Sequence, residues 1–357
     1  MVNSRSSLRS IYADHNGKVS DKWAIYIDEY ERVLEKHRDQ AVNLLEIGIQ
    51  NGGSLEIWDK FFPNANTIIG CDVNPVCAKL TFESSKIEVV VGDANSQDVR
   101  NRIASLAPTL DVIIDDGSHQ SGDIISSFFC YFKNLSDGGI YIVEDLHCSY
   151  WEDFDGGIFQ PYSSISFFKK LADTVNHEHW GIKRSRQDFI SGFNKEKYVE
   201  LDDATLAHIH SITFVNSICI IKKALPSENA LGERVVAGTV ALVDERPLSQ
   251  RGHTVNCSDQ SLNPWSCIDG VAGTDISAKQ DETDELQAIG GEPKNTKLLE
   301  IMAKKIDSEL LSLHKFRQEV EALLRETVKR ELSLSERLAR IRDDRERVST
   351  DPANKKH

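Results

Sequence analysis

The chain has 357 residues, 40% of them hydrophobic and 27% charged, which is ample for one large α/β domain with additional segments. Its formal net charge of −14 excludes the basic surface that non-specific nucleic-acid binding needs. No apolar run reaches the roughly 18 residues of a membrane span. The seven cysteines lack CxxC spacing and read as buried thiols of a cytoplasmic protein rather than as disulfides.

The opening segment, MVNSRSSLRSIYADHNGK, has no apolar centre and does not read as a secretion signal. Residues 1–40 are expected to form a helical lead-in within reach of substrate. Five apolar, β-branched runs then follow: NLLEIG (43–48), NTIIGCD (66–72), IEVVVGD (87–93), LDVIIDD (110–116) and IYIVED (140–145). Unbroken apolar runs suit strands buried on both faces. Helix-like segments lie between them, such as SGDIISSFFCYFKNL (121–135), which is expected to end at SDGG. Alternating strands and helices predict a doubly wound, Rossmann-like α/β sheet over residues 41–225, mostly parallel. HSITFVNSICIIKKA (210–224) reads as two strands around Asn216-Ser217, an antiparallel hairpin at the sheet edge.

Beyond Pro226 the periodicity fades. Residues 226–295 are rich in Gly, Ser, Asp and Pro and read as an extended arm or linker, partly disordered. Within it, DQSLNPW (259–265) offers a tryptophan that would pack back on the domain. From Thr296 to Val348 there is no Gly or Pro, and Leu299, Ile306, Leu313, Val320, Leu334 and Ile341 share a seven-residue register. This predicts a long helix and a coiled coil that would make a homo-oligomer. Residues 349–357 form a disordered tail. The stretch from Thr296 onward carries 15 Lys and Arg against 12 Asp and Glu, so the acidity resides in the earlier part of the chain.

The ends of the strands carry the chemistry. The first runs into a glycine turn, LLEIGIQNGGS, where Glu46, Gly48, Gly52 and Ser54 surround a strand-to-helix junction. The second ends in Asp72, placed to hold ribose hydroxyls. The third ends in GDAN, where Asp93 or Asn95 would meet an adenine edge. A nucleoside cofactor fits this order. Gln50 and Asn51 break the GxGxxG pattern of dinucleotide sites, which favours S-adenosyl-L-methionine over NAD. Glycines serving only a tight turn would look the same.

LDVIIDDGSH and YIVEDLH end two strands expected to be neighbours, so Asp116, Glu144 and Asp145 should converge. Three carboxylates at one spot repel unless a cation joins them, and an all-oxygen set suits Mg²⁺, or Mn²⁺ or Ca²⁺, better than zinc. Asp115 would support the turn beside the cofactor. His119, past Gly117, would be a general base. Tyr150, Trp151, Phe154 and Tyr162 follow and would stack on sugar faces as a lid, or else simply cover the core edge.

LLEIGIQNGGSLEIW, VIIDDGSH and GGIYIVEDLHCSYW together resemble the class I S-adenosylmethionine-dependent methyltransferases that act on sugar hydroxyls. The similarity is to the metal-dependent macrolide sugar O-methyltransferases of the mycinamicin and macrocin type and to related enzymes of glycan gene clusters. It covers roughly residues 7–224 and takes in GKVSDKW with Tyr26 and Tyr30. The resemblance implies magnesium at Asp116, Glu144 and Asp145, with Asp116 rather than Asp115 as the ligand. It also implies His119 as the base and a carbohydrate or glycosylated small molecule as acceptor. The alternatives are a cofactor- or glycan-binding scaffold assembled by the coil, and a hydroxylase or oxidoreductase on a related fold.

Overall fold

The computed structural model describes residues 5–193, 201–263 and 266 of the chain. The predicted helix at 296–348, the tail at 349–357, the end of the linker and Trp265 lie outside the described residues.

The described chain opens with α1 (Leu8–Ala13) and α2 (Ala24–Leu34). Then β1 (Asn43–Ile47), α3 (Gly53–Phe61), β2 (Thr67–Asp72), β3 (Ile87–Val91), α4 (Gln97–Leu106), β4 (Leu110–Asp115) and α5 (Ser121–Tyr131) alternate. They are followed by β5 (Leu135–Val143), α6 (Ser164–Val175), β6 (Ile209–Val215) and β7 (Ile218–Lys223), with short helical turns between α6 and β6. The seven strands form one sheet in the order β3-β2-β1-β4-β5-β7-β6. The first five are parallel, and the β6–β7 hairpin pairs antiparallel on β5.

Both faces of the sheet are covered, which is why its strands read as continuous apolar runs. Successive residues alternate between faces. Leu44, Ile68, Val112, Ile114 and Ile142 pack with Tyr26, Tyr30, Trp58 and Phe61 of α2 and α3. Leu45, Ile69, Ile113, Tyr141 and Val143 pack with Ile103, Phe128, Phe168 and Leu171 of α4, α5 and α6.

Two boundaries differ from expectation. SDGG does not end a helix but lies inside β5, which starts at Leu135. α5 stops at Tyr131 and a 3-10 turn follows; Ser136 then hydrogen-bonds the Asp111 side chain at 2.7 Å, which draws the segment onto β4. The described part of the arm is irregular, with a short helix at Arg246–Ser249, but it is anchored. Leu231 N–H donates to Glu178 at 2.8 Å and Gln260 N–H donates to the Gly181 carbonyl at 2.8 Å. None of the six described cysteines is in a disulfide. Among the described residues no helix is long and apolar enough to cross a membrane.

Candidate active site

Strand register brings the site together. Ile47 of β1, Asp115 of β4 and Val143 of β5 are direct partners across the sheet. Gly48, Asp116 and Glu144 are therefore the next residue out on three adjacent strands, and two amides extend the ladder: Asp116 N–H to Ile47 O and Glu144 N–H to Asp115 O, both 2.9 Å. Here the carboxyl ends of parallel strands open into a cleft of about 700 Å³. This is where open α/β sheets hold ligands.

The half of the cleft on the side of β2 and β3 is lined by Gly48, Ser54, Asp72, Asp93, Asn95 and Asp115. Gly48 has φ +85°, and a side chain there would run into the Asp116 backbone carbonyl. Gly53 leaves room for the chain itself, since a Cβ would strike the backbone of Lys18 and Val19. These two glycines thus serve contacts within the protein. Gly52, the left-handed N-cap of α3, faces Phe82. Asp72 braces the same turn: its Oδ2 accepts from Ile49 N at 3.0 Å and Gln50 N at 2.9 Å. Asp93 accepts from Asn95 N at 2.9 Å, and Asn95 joins α5 through Ser127 and the Asp123 carbonyl. Glu46 sits behind the cleft, fully buried, accepting from Ser54 at 2.7 Å and Trp58 at 3.2 Å.

The acidic half contains a residue that the sequence reading missed. Lys22, from the segment between α1 and α2, has a side chain only 3% exposed. Its Nζ lies 2.5 Å from Asp116 Oδ2, 2.7 Å from Glu144 Oε1 and 3.3 Å from Glu46 Oε1. Burial alone would lower the Lys22 ammonium, but the three carboxylates outweigh it and hold it well above its usual value. Tyr30 donates to Glu144 Oε1 as well. The signal was present in GKVSDKW, but a lysine in a polar segment ordinarily reads as solvated.

On the outer side, His119 Nε2 lies 3.6 Å from Asp145 Oδ2 and 3.9 Å from Asp116 Oδ1. Among the described residues, side-chain donors gather in two sets, Asp116–His119–Asp145 and Glu46–Asp116–Glu144, each with its ligand atoms within 4.8 Å of one another. Asp116 is common to both. Asp145 is oriented by Tyr26, whose hydroxyl donates to Oδ1 at 2.8 Å, and by Trp23 Nε1 at 3.1 Å. His119 and Asp145 both hold left-handed backbone, φ +58° and +53°, which is uncommon for residues with a side chain and clusters at functional sites.

Buried carboxyl groups crowd the pocket and are held towards their protonated forms. Burial pushes Glu144 up to about 8 against the opposing pull of Lys22, and pushes Asp115 up to about 7. Asp116 and Glu46 are also raised, chiefly by burial. Four carboxyl groups, Glu46, Asp116, Glu144 and Asp145, thus gather around one ammonium, and a further hard cation beside them would favour their ionised forms.

An aromatic rim borders this half. Trp23 meets His147, which meets Trp151 at 4.9 Å; Trp151 meets Phe154, which faces His119 at 6.4 Å. Trp23 is 60% and Trp151 52% exposed. Tyr162, expected with them, instead packs against Phe193 on the core, because the chain turns inward before α6.

No protein-family model matches the chain. It is 33% identical over 177 residues to the 8-demethyl-8-alpha-L-rhamnosyl tetracenomycin-C 2'-O-methyltransferase of Streptomyces olivaceus, covering 47% of this chain and 46% of that protein. It is 31% identical over 202 residues to the mycinamicin VI 2''-O-methyltransferase of Micromonospora griseorubida, covering 53% and 47%. The chain resembles sugar O-methyltransferases. It spans about half the length of these curated relatives. In fold it is similar to MycE methyltransferase from the mycinamycin biosynthetic pathway, solved in complex with Mg and SAH. That likeness has a TM-score of 0.52 at 22% identity and covers 69% of this chain and 59% of that one. A methyltransferase-type Rossmann-like sheet is thereby matched as a fold. Both relatives are named O-methyltransferases, which does not favour the scaffold, hydroxylase or oxidoreductase alternatives.

Proposed function

We propose that this chain is an S-adenosylmethionine-dependent, Mg²⁺-assisted O-methyltransferase whose acceptor is a sugar hydroxyl of a glycosylated small molecule or glycan. The observation that carries the reading is the meeting of Asp116, Asp145 and His119 beside the glycine turn, at the carboxyl edge of β1, β4 and β5. The names of the relatives, which include a rhamnosyl acceptor, and the Mg and SAH bound in the MycE structure support it.

The cleft suits both groups: it is nucleoside-sized, and its floor offers the carboxyl oxygens of Asp116, Glu144 and Asp145. Asp72, Asp93 and Asn95 would hold the nucleoside, with Gly48 and Ser54 beneath it and Asp115 closing the floor. Asp116 and Asp145 would hold the ion, with Glu144 behind them on Lys22. When bound, S-adenosylmethionine supplies an electrophilic methyl group and Mg²⁺ makes a neighbouring sugar hydroxyl easier to deprotonate.

The chain's own residues do the rest. His119 Nε2 faces the same point as the two carboxylates and takes the hydroxyl proton. Tyr26 and Trp23 fix the Asp145 carboxylate. Trp151, Phe154 and Trp23 offer apolar faces to a sugar ring and limit water at the rim. Much of the acceleration then comes from holding acceptor and donor in line.

The test is incubation with methyl-labelled S-adenosylmethionine and Mg²⁺ against glycosylated natural products, nucleotide sugars and oligosaccharides. Label in a carbohydrate supports the reading; label in none of them sinks the sugar assignment.

A further inference from the structure

Asp145 is held from behind by a chain of hydrogen bonds that ends on the β6–β7 turn. The Tyr26 hydroxyl lies 2.8 Å from Asp145 Oδ1 and 2.7 Å from Ser217 Oγ, and it accepts from the Asp145 amide at 3.1 Å. His147 Nδ1 meets the same Ser217 Oγ. A tyrosine hydroxyl has one hydrogen. The Asp145 carboxylate, as the charged acceptor, takes it. Ser217 Oγ is then the donor to Tyr26 and the acceptor for His147. Every bond in the series His147, Ser217, Tyr26, Asp145 points towards the carboxylate, and bonds aligned in this way strengthen one another. The other carboxylate oxygen, Oδ2, faces His119 at 3.6 Å.

The hairpin itself does not require a serine here. Ser217 is the second residue of the two-residue turn between Val215 and Ile218, with φ +68°. Glycine fills such a position without strain, and a residue with a side chain does not. The Ser217 carbonyl accepts from Leu146 N at 2.9 Å, so the main chain alone ties the turn to the residue after Asp145. What the hydroxyl adds is contact with two side chains of the site. One is Tyr26. The other is His147, whose ring stands edge-on to both Trp23 and Trp151 in the aromatic rim.

We infer that Ser217 is a positioning residue. Acting through Tyr26, its hydroxyl sets the Asp145 carboxylate for the divalent ion, and through Nδ1 it sets the His147 ring in the rim. The inference rests on the metal reading above.

The informative variant is Ser217→Gly, which removes the hydroxyl and keeps the φ that the turn needs. Mg²⁺ is titrated by calorimetry into the EDTA-treated and dialysed full chain as wild type, Ser217→Gly, Tyr26→Phe and the double variant, and the thermal melting of each is recorded. Ser217→Gly is expected to melt close to wild type and to bind Mg²⁺ about 10-fold more weakly, the low end for a group that orients a metal ligand. In the Tyr26→Phe background the same change should add little, because the path through the tyrosine is already cut. Wild-type affinity in Ser217→Gly, or a loss that multiplies with that of Tyr26→Phe, overturns the inference and leaves the metal reading standing. Weaker binding that comes with a large fall in melting temperature also overturns it, since Ser217 would then serve the turn alone. No Mg²⁺ binding by wild type overturns the metal reading and this inference with it.

Discussion

Lys22 binds Asp116 through Oδ2 at 2.5 Å, so that the other oxygen of the same carboxylate is left facing His119 at 3.9 Å. The acidic half of the cleft is thus organised by a residue about 90 positions earlier in the chain. An inner, buried side belongs to Lys22, Glu144, Glu46 and Tyr30. An outer, accessible side belongs to Asp145 and His119. The chemistry proposed for the chain uses the outer side.

His119 is positioned to receive a proton and has only ion-pair-range contacts with Asp116 and Asp145. His119→Gln is expected to lower methyl transfer by ~10²–10⁴-fold, the range typical of general bases. Binding of S-adenosylhomocysteine, measured by calorimetry, should stay within a few-fold of wild type, because the nucleoside side of the cleft is untouched. A comparable loss in both measurements would show that His119 shapes the pocket instead.

Tyr26 touches Asp145 twice: its hydroxyl donates to Oδ1 at 2.8 Å and accepts from the Asp145 amide at 3.1 Å. It also reaches Ser217 Oγ in the β6–β7 turn at 2.7 Å. Tyr26→Phe should weaken Mg²⁺ binding by roughly 10–100-fold, the usual effect of losing a partner that orients a ligand. Calorimetric titration of Mg²⁺ reads this directly, and unchanged affinity would remove Asp145 from the ion site.

Gly48→Ala should be severely destabilising, since the residue keeps φ +85° and a Cβ would meet the Asp116 carbonyl. Gly122→Ala, in α5, is the control: nothing lies within 4 Å of the added Cβ. Denaturant titration should show a loss of several kcal/mol for the first, about the sum of positive-φ strain and a steric clash. The second should be neutral or slightly stabilising.

The sheet was legible because its strands are buried on both faces and so stand out as apolar runs, and because register then dictates which strand ends meet. The hairpin at Asn216-Ser217 was legible for the same reason, with Ser217 at φ +68° in the turn. The site was only half legible. Acidic residues at strand ends announce themselves; Lys22 does not, because its burial depends on a segment folding back across β1, β4 and β5. Glu46 was read as a cofactor residue, but its side chain turns away to Ser54, Trp58 and Lys22, which periodicity alone does not foretell. Trp23 and His147 escape a sequence reading as rim residues because they come from separate segments that only the fold brings edge to face, Trp23 on Asp145 and His147 on Ser217.

His37 supplies a pH test remote from the site. Burial lowers its pKa below 6.5, outweighing the acceptor offered by Gln40 at 3.1 Å. The unfolded chain therefore binds this proton more readily, and His37 contributes a decline in stability as pH drops through about 6.5, opposite in sign to the contribution of buried Asp115 and Glu144, whose raised pKa values favour the folded state at lower pH. His37→Gln should flatten that decline in urea titrations between about pH 7 and pH 5.5. An unchanged slope would mean that other groups carry it.

In the proposed reaction Asp116 holds a divalent ion required for methyl transfer to a sugar. The direct measurement is transfer of labelled methyl from S-adenosylmethionine to a carbohydrate acceptor, with Mg²⁺ and with EDTA, by wild type and by Asp116→Asn. Transfer is expected from wild type with Mg²⁺ only, and none from Asp116→Asn, which should still bind S-adenosylhomocysteine. Full transfer by wild type in EDTA, or by Asp116→Asn, would contradict it.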